Sequence, residues 1–287
     1  MNENTVFTYQ NSIGRITFSY NGAFGLTDIR SVSGVDVDVA DARGMRQDGS
    51  TVTNQNVAPR TLTLNGYILE PLATHRKSLI DIIAPKVNST LTVRENGESW
   101  FLNVVPTSTP DIAPGNGLQQ FQCRLKAPYP YWRNSASFTT QLLGLTAMFK
   151  FPFYTGGNWW ISKFSGDFFR TIHNPGNVPM PFDIFITART QLTNPEVFHV
   201  GTGQKILIIK QMDPGERFII STEYGQQGAV FVGADGVVSN GFPYLSYESD
   251  LSMALLPGDN LLRSDADSNR EGLSVRISGQ QGVKSGV

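Results

Sequence analysis

Hydrophobic and polar residues alternate one by one along much of the first half of the chain, the pattern of half-buried β-strands. Between Arg60 and Leu69, apolar Leu62, Leu64 and Ile68 alternate with polar residues, and Gly66 interrupts the apolar row. Residues 121 to 127 follow the same period. The pattern therefore predicts a mainly β protein with strands over both segments.

One interval follows a helical period instead. Pro71 lies where a helix can begin, and four apolar residues fall on one helical stripe after it: Leu72, Leu79, Ile82 and Ile83. Ala84 precedes Pro85, which disfavours further helical conformation. The sequence predicts this as the only substantial helix.

A hairpin is predicted around Asn96-Gly97, a dipeptide suited to a two-residue turn with positive φ at both positions. This turn would place Glu95 opposite Glu98, where like charges are mildly destabilising. A slightly longer loop is therefore an alternative.

Residues 41 to 58 are rich in Gly, Ser, Thr, Asn and Gln and follow a strand that alternates through Val35, Val37 and Val39. A polar stretch of this length inside a compact domain requires a reason, and contact with a neighbouring subunit would be one. We expect a long exposed arm. Hairpins with such arms leave unpaired sheet edges, which indicates that the first domain completes its β-structure against copies of itself.

The best domain boundary lies in Pro128-Tyr-Pro-Tyr-Trp132, where two prolines disfavour both helix and sheet. We expect one domain over residues 1–134 and a second over 135–287. In the second, short strands separated by Asn174-Pro-Gly, Asp213-Pro-Gly and similar turns favour an antiparallel β-sandwich. The last ten residues, 278–287, are expected to be frayed.

The charge and hydropathy of the chain argue against several classes of partner. The 287 residues carry 23 Lys and Arg against 24 Asp and Glu, a net charge of −1 that does not favour nucleic acid or anionic membranes as partners. No apolar run approaches a membrane span, and the polar start after Met1 predicts a protein made in the cytoplasm without export. Charged residues reach only 16%, which suits large permanent interfaces.

Catalytic and metal-binding chemistry has little support. The single cysteine, Cys123, lies in an apolar strand row and is interpreted as core filling. The three histidines, His75, His173 and His199, have no second ligand at metal spacing. No phosphate-binding glycine loop, dinucleotide fingerprint or nucleophile elbow is present.

Two carboxylate pairs, Asp36 with Asp38 and Asp265 with Asp267, have the spacing that shares one face of a strand. A hydrolase using the second pair, or Cys123 with a histidine, is a minor hypothesis, because solvent-facing positions explain these residues more simply. We expect no enzyme activity, metal or cofactor.

An aromatic cluster begins the second half and includes Tyr154, Trp159 and Trp160 near Gly156-Gly157. Exposed aromatic side chains can stack on sugars, so a carbohydrate-binding β-sandwich that contributes to attachment at a host surface is the alternative function. The same residues could close one end of the sandwich or dock against a partner protein, which we favour.

Several motifs, taken in order, resemble the distal tail protein (Dit) family of bacteriophages with long non-contractile tails. Arg60-Thr-Leu-Thr-Leu-Asn-Gly-Tyr-Ile, residues 76–83 and Cys123-Arg-Leu-Lys-Ala-Pro-Tyr-Pro-Tyr-Trp132 resemble its first domain. Asn174-Pro-Gly-Asn-Val-Pro, Asp213-Pro-Gly-Glu-Arg-Phe-Ile-Ile and Leu256-Pro-Gly-Asp-Asn resemble its second. The polar arm and an aromatic insert at 146–160 depart from the family pattern.

The resemblance implies a ring-forming β domain with one helix, followed by a galectin-like antiparallel β-sandwich. It implies a homo-hexameric baseplate hub at the virion tail tip, joining the tail tube protein to a tail-associated hub or fibre protein or a receptor-binding protein. Neither catalysis, a membrane nor sequence-specific nucleic acid belongs to that role. The predicted ring-interface residues are Arg46, Gln55, Arg60 and Tyr67, and the predicted glycan or partner contacts are Tyr154, Trp159 and Trp160.

Overall fold

The computed structural model describes residues 5–147, 162–165, 168–280 and 282–287. The chain divides into two compact units. One consists of Met1–Ala136 with Val283–Val287, and the other of Ser137–Gly282. We refer to them as the barrel unit and the sandwich unit.

The barrel unit contains one α-helix, α1 (Leu72–Ile82), among the described residues. Its strands before the helix are β1 (Val6–Asn11), β2 (Arg15–Phe18), β3 (Phe24–Arg30), β4 (Val37–Ala42), β5 (Thr51–Val57) and β6 (Arg60–Leu69). Those after it are β7 (Ser89–Glu95), β8 (Glu98–Pro106), β9 (Asp111–Ile112), β10 (Leu118–Ala127) and β11 (Trp132–Asn134).

Seven of these strands close into a barrel in the order β8-β7-β1-β2-β3-β6-β10, and β10 pairs back to β8. The closing pairs are Leu125 with Pro106 and Lys126 with Val105. Closure gives these strands partners within their own chain. The barrel strands therefore need no neighbouring copy to complete their pairing, whereas β4 and β5 pair only with each other among the described strands. That the first domain completes its β-structure against copies of itself stays a prediction, and it now concerns the arm.

The barrel interior is filled by the apolar rows that the alternation predicted. Leu62, Leu64 and Leu125 are at most 1% exposed, and Cys123 lies among them. The predicted helix is confirmed, and it buries Leu79 in the same core. Every second residue of the barrel strands thus points into the barrel core, and the apolar face of α1 packs on that core.

The predicted two-residue turn at Asn96-Gly97 is confirmed, since both residues have positive φ and Glu95 pairs with Glu98. The two carboxylates bond to different neighbours. Thr5 Oγ1 donates to Glu95 Oε1 at 3.1 Å, and Trp100 Nε1 donates to Glu98 Oε2 at 3.1 Å. These donors offset the like-charge repulsion that made a longer loop an alternative.

The prediction that the last ten residues are frayed is wrong for those that the structure describes, 278–280 and 282–287. The strand β23 (Leu273–Gln280) includes the first of them, and β24 (Val283–Lys284) returns to the barrel unit and pairs with β11. Val283 is fully buried. The segment Val283–Val287 is therefore part of the barrel unit although it follows the sandwich in the chain.

The sandwich unit is all antiparallel, as predicted. Its first strands are β12 (Ser137–Ala147), β13 (Ser162–Ser165), β14 (Phe169–Asn174), β15 (Phe182–Ala188), β16 (Leu192–His199) and β17 (Lys205–Leu207). The rest are β18 (Gln211–Met212), β19 (Arg217–Ser221), β20 (Gly228–Val232), β21 (Val238–Asn240), β22 (Gly258–Ser268) and β23. Two 3₁₀ helices span Phe242–Tyr244 and Arg270–Gly272.

These strands form two sheets. Seven strands follow the order β13-β12-β23-β15-β19-β20-β21, and a smaller sheet follows β14-β22-β16-β17, with β18 beside β16. Each sheet buries one face. Ile184 and Ile277 lie on the buried face of the first sheet, and Val197 and Leu262 lie on that of the second. This is the arrangement of an antiparallel β-sandwich.

Two asparagines from the family-like turn motifs hold the sandwich turns. Asn174 donates to the carbonyls of Val178 and Leu255, while the Asn260 side chain accepts from Leu256 N and donates to Leu256 O. Both residues are at most 2% exposed, and they lie near the same end of the β14–β22 pairing, where Asn174 pairs with Gly258 and Ile172 with Asn260. The motifs therefore satisfy backbone groups that would otherwise be buried without partners.

Candidate functional site

Cys123 has the properties of a core residue and not of a nucleophile. Its side chain is 1% exposed, and burial raises the pKa of its thiol to about 12. A reactive cysteine requires a thiolate near neutral pH. The structure thus agrees with the interpretation of Cys123 as core filling.

The three histidines take part in structural contacts. His75 Nδ1 lies 2.7 Å from Leu69 O, and His173 Nδ1 lies 2.7 Å from Asp259 Oδ1. His199 is buried, with Nε2 3.0 Å from Asn260 Oδ1. Among the described residues, no group of three potential metal-ligating side chains occurs.

The later carboxylate pair lies on the outward side of β22, each member with its own partner. Arg270 forms an ion pair with Asp265 at 3.0 Å, and Asn194 Nδ2 donates to Asp267 Oδ2 at 2.8 Å. The earlier pair, Asp36 and Asp38, is exposed at the start of β4. These contacts account for the later pair, and the earlier pair has the solvent-facing position that the sequence predicted.

The polar stretch after β3 is a β-hairpin and not an irregular loop. Strands β4 and β5 pair along their length, with a bulge beside Ala40, and nearly every residue from 37 to 57 is exposed. The tip is held by its own side chains, because Arg43 Nε donates to Gln47 O and Gly44 N donates to Gln47 Oε1. We call residues 37–57 the arm.

The arm has one apolar face. Val37 pairs with Val57, and Val39 lies two residues along on the same side, where it pairs with Gln55. After the bulge, Val52 returns to this side opposite Asp41. The four valines are between 36% and 51% exposed, so the arm presents a valine face that the described chain leaves uncovered.

The base of the arm is fixed by Arg60, the first residue of β6. Its guanidinium is buried and donates to Pro130 O at 2.7 Å, Ser31 O at 2.6 Å and Val32 O at 2.5 Å, and also to Ser285 O. Burial lowers its pKa, and the negative charge of Asp36 opposes this effect. Arg60 therefore joins the segment between β3 and the arm to the domain-closing segment and to Val283–Val287.

The predicted ring-interface residues lie in three different settings. Gln55 belongs to the valine face, and Arg46, with φ of 66°, lies at the arm tip. Tyr67 is half-buried on the barrel, its ring over Gly25. Arg60 is interior with its donors used inside the barrel unit, so we withdraw it as an interface residue.

The predicted aromatic contacts Tyr154, Trp159 and Trp160 lie outside the described residues. The valine face, in contrast, was missed at the sequence level. The sequence nevertheless contains a signal for this face. Val37 and Val39 alternate with polar or small residues before the polar stretch, and Val52 and Val57 lie in its second half. The many Asn, Gln and Thr residues between them concealed a second amphipathic strand.

No protein-family model matches the chain, and no curated protein sequence matches it. Among solved structures, it is similar to the Dit protein of phage SPP1, described as a paradigm of the hub adsorption apparatus in phages that infect Gram-positive bacteria. The TM-score is 0.66 at 12% identity, covering 96% of this chain and 98% of the other. The baseplate of phage P2 in its activated, calcium-containing conformation gives 0.49 at 11% identity, with 96% and 97% covered. The chain thus has the fold of a phage Dit hub protein, and the resemblance stated from the sequence motifs is confirmed at the level of fold.

In the described part of the chain, no helix has both the length and the hydropathy required to cross a membrane.

Proposed function

We propose that the protein is the structural hub of a phage tail: six copies form a ring at the tail tip through their arms, and the ring joins the tail tube protein to the tail-tip, fibre or receptor-binding proteins. The observation that carries the proposal is an arm with an uncovered valine face on a barrel that has the Dit fold.

The valine face supplies a driving force for association. Each valine is roughly half exposed, and covering such a side chain contributes about 1 kcal/mol. The side that faces away from the valines carries Asp38, Asn54 and Asn56 and has no comparable apolar content. An amphipathic hairpin of this kind is suited to lie across an apolar surface with its polar side in water.

The geometry of the contact favours a ring. An arm that lies on the body of the next copy joins two different surfaces, so the contact is heterologous. Heterologous contacts repeat by rotation and close when the angle permits. The number six comes from the family resemblance, as do the tail tube protein on one side and the hub or fibre protein on the other.

This role needs no catalytic group. We propose that the protein acts by holding geometry at the virion tail tip, after synthesis in the host cytoplasm. The bonded carboxylates and the buried thiol described above support a non-enzymatic role.

The test measures the mass of the full chain by multi-angle light scattering and its shape by negative-stain microscopy, with and without the tail tube protein of the same phage. We expect six-copy rings. Val39→Lys should abolish them, because the change places a charge in the valine face.

Ala40→Lys is the matched control, since Ala40 is the adjacent exposed residue on the opposite side of the same strand. It should leave rings intact. A wild-type chain that stays monomeric with its tube partner, or equal loss of rings in both variants, would contradict the proposal.

A further inference from the structure

The sandwich unit has a cleft at one margin that the proposed ring does not use. It has a volume of about 390 Å³ and lies between β12 and β14, one from each sheet. Ile172 and Met180 form a buried floor, and Phe138 is half-buried at one side. Its size falls within the range of about 300 to 1,000 Å³ typical of ligand-binding clefts.

One wall of the cleft is an open sheet edge. Strand β14 is an edge strand of its sheet and, among the described strands, pairs with β22 on one side only. Beside this pairing, Ser264 N donates to Phe168 O at 3.0 Å. Because antiparallel strands alternate the direction of their backbone groups, the N–H and C=O of Phe169, Thr171 and His173 point away from β22. Within the described residues no strand pairs with that side.

The opposite wall has the same property over part of its length. Strand β12 pairs with β13 only from Gly144 to Ala147, while its first half, from Ser137 to Leu143, pairs with β23 alone among the described strands. Two rows of backbone donors and acceptors therefore border one apolar floor. Extended polypeptide is the ligand whose own backbone matches such an edge.

The cleft is lined by a positively charged side chain and, among the described residues, by no negatively charged one. Arg170 lines it, is exposed and forms no ion pair within the described part of the chain. None of the described residues that line the cleft is a carboxylate. His173, at the same wall, already bonds with Asp259 at 2.7 Å. An incoming carboxylate would find a free guanidinium.

We propose that this cleft binds an extended, acidic segment of a partner protein, added as a strand to the edge of β14. Apolar side chains on one side of that segment pack on Ile172, Met180 and Phe138. An Asp or Glu on that same side pairs with Arg170, because Arg170 and Ile172 share one face of β14. The proposal does not depend on ring formation.

Binding can be tested with the full chain and two fluorescent octapeptides in which every second residue is Thr. The residues between them alternate Val with Asp in one peptide and Val with Lys in the other, because Arg170 and Ile172 lie two residues apart on one face of β14. By fluorescence anisotropy, the acidic peptide should bind at least tenfold more tightly. Arg170→Glu should reverse this preference. Arg217→Glu, an exposed arginine on β19 of the other sheet, should leave it unchanged.

The site of binding can be read by amide hydrogen exchange. The amides of Phe169, Thr171 and His173 should gain protection with the acidic peptide. Equal affinity for both peptides, protection elsewhere only, or an unchanged preference in Arg170→Glu would overturn the proposal. Concentration-dependent self-association that Arg170→Glu abolishes, without peptide binding, would overturn it in favour of a second copy as occupant. The Val39→Lys variant should bind the peptide normally, which separates this test from that of the ring.

Discussion

The thiol of Cys123 is held in its neutral form by the apolar barrel core. Its pKa of about 12 lies some three units above the ordinary value of 9.0. At pH 8 the folded protein should therefore contain about a thousandfold less thiolate than an exposed cysteine would. Unfolding lets the thiol ionise at lower pH, so this group reduces stability as pH rises from about 9 to about 12.

We predict that iodoacetamide at pH 8 labels the native protein at least about a hundredfold more slowly than the protein in guanidinium chloride. Mass spectrometry of the single cysteine measures both rates. Rapid native labelling would contradict the buried position of Cys123.

Gly66 allows two strands and an aromatic ring to approach closely. A Cβ at this position would lie 2.2 Å from the backbone oxygen of Gly25 and 2.7 Å from the ring of Phe121. Gly66→Ala should therefore lower the free energy of unfolding by about 2–3 kcal/mol, as overpacking in a core does. Urea denaturation followed by tryptophan fluorescence measures the change.

Gly34→Ala is the control for that substitution, because a Cβ there meets nothing within 4 Å. Its effect should stay within about 0.5 kcal/mol. The same midpoint for Gly66→Ala and the wild type would show that the barrel relaxes around the added methyl group.

At the scale of single residues, the alternating pattern was sufficient to predict which positions are buried, whereas the charge of Arg60 suggested an exposure that the structure does not show. It placed Cys123 and Leu64 in buried rows, which the structure confirms. Arg60 lies on the same row as Leu62 and Leu64, yet its charge suggested an exposed interface position. Its burial depends on carbonyls far away in sequence, at Ser31, Pro130 and Ser285, which no local pattern reveals.

At the scale of elements, β24 is a short strand that stabilises the barrel unit from a distant part of the chain. It pairs with β11, Ser285 O accepts from Arg60, and Ser33 Oγ donates to Val287 O at 2.9 Å. Removing residues 283–287 would leave one buried donor of Arg60 without a partner. We expect the barrel unit to lose about 1–3 kcal/mol of stability.

Thermal unfolding of the truncated chain, followed by near-ultraviolet circular dichroism, tests this prediction. Lys284→Ala is the control, because it keeps the backbone pairing and removes an ammonium that lies 4.3 Å from the Trp100 ring and 3.9 Å from Glu98 Oε2. It should cost under about 1 kcal/mol. If the truncation destabilises the chain no more than Lys284→Ala does, the β11–β24 pairing contributes little to stability.

Helix α1 and the Asn96-Gly97 hairpin were predictable because local spacing and turn chemistry determine both. The arm was predictable as exposed but not as a hairpin, since its strands have little apolar content outside the valine face. The β24 strand was missed for a different reason. Its two residues acquire strand structure only by pairing with β11, roughly 150 residues earlier in the chain.

At the scale of the whole molecule, the sandwich unit contains all the strands of its two sheets within residues 137–282. We predict that this segment, expressed alone, folds cooperatively into an antiparallel β domain. Dispersed amide NMR signals and a single unfolding transition would show it. A spectrum typical of an unfolded chain would mean that the unit requires the barrel.

Fold class and the division into two compact parts follow from strand spacing and turn motifs, whereas barrel closure does not. The β8–β10 pairing is a long-range contact that depends on the curvature of the entire sheet. For this reason the sequence suggested open edges where the seven barrel strands close on themselves. The case for assembly consequently rests on the arm.

Because β24 follows the sandwich in the chain, its residues are synthesised after those of both units that they complete or follow. A ribosome completes the whole sandwich before it releases the residues that pair with β11 and accept from Arg60. Domains tend to fold as they emerge. A nascent chain therefore forms the β11–β24 pairing and the Arg60 bond to Ser285 O only after the sandwich residues have been synthesised.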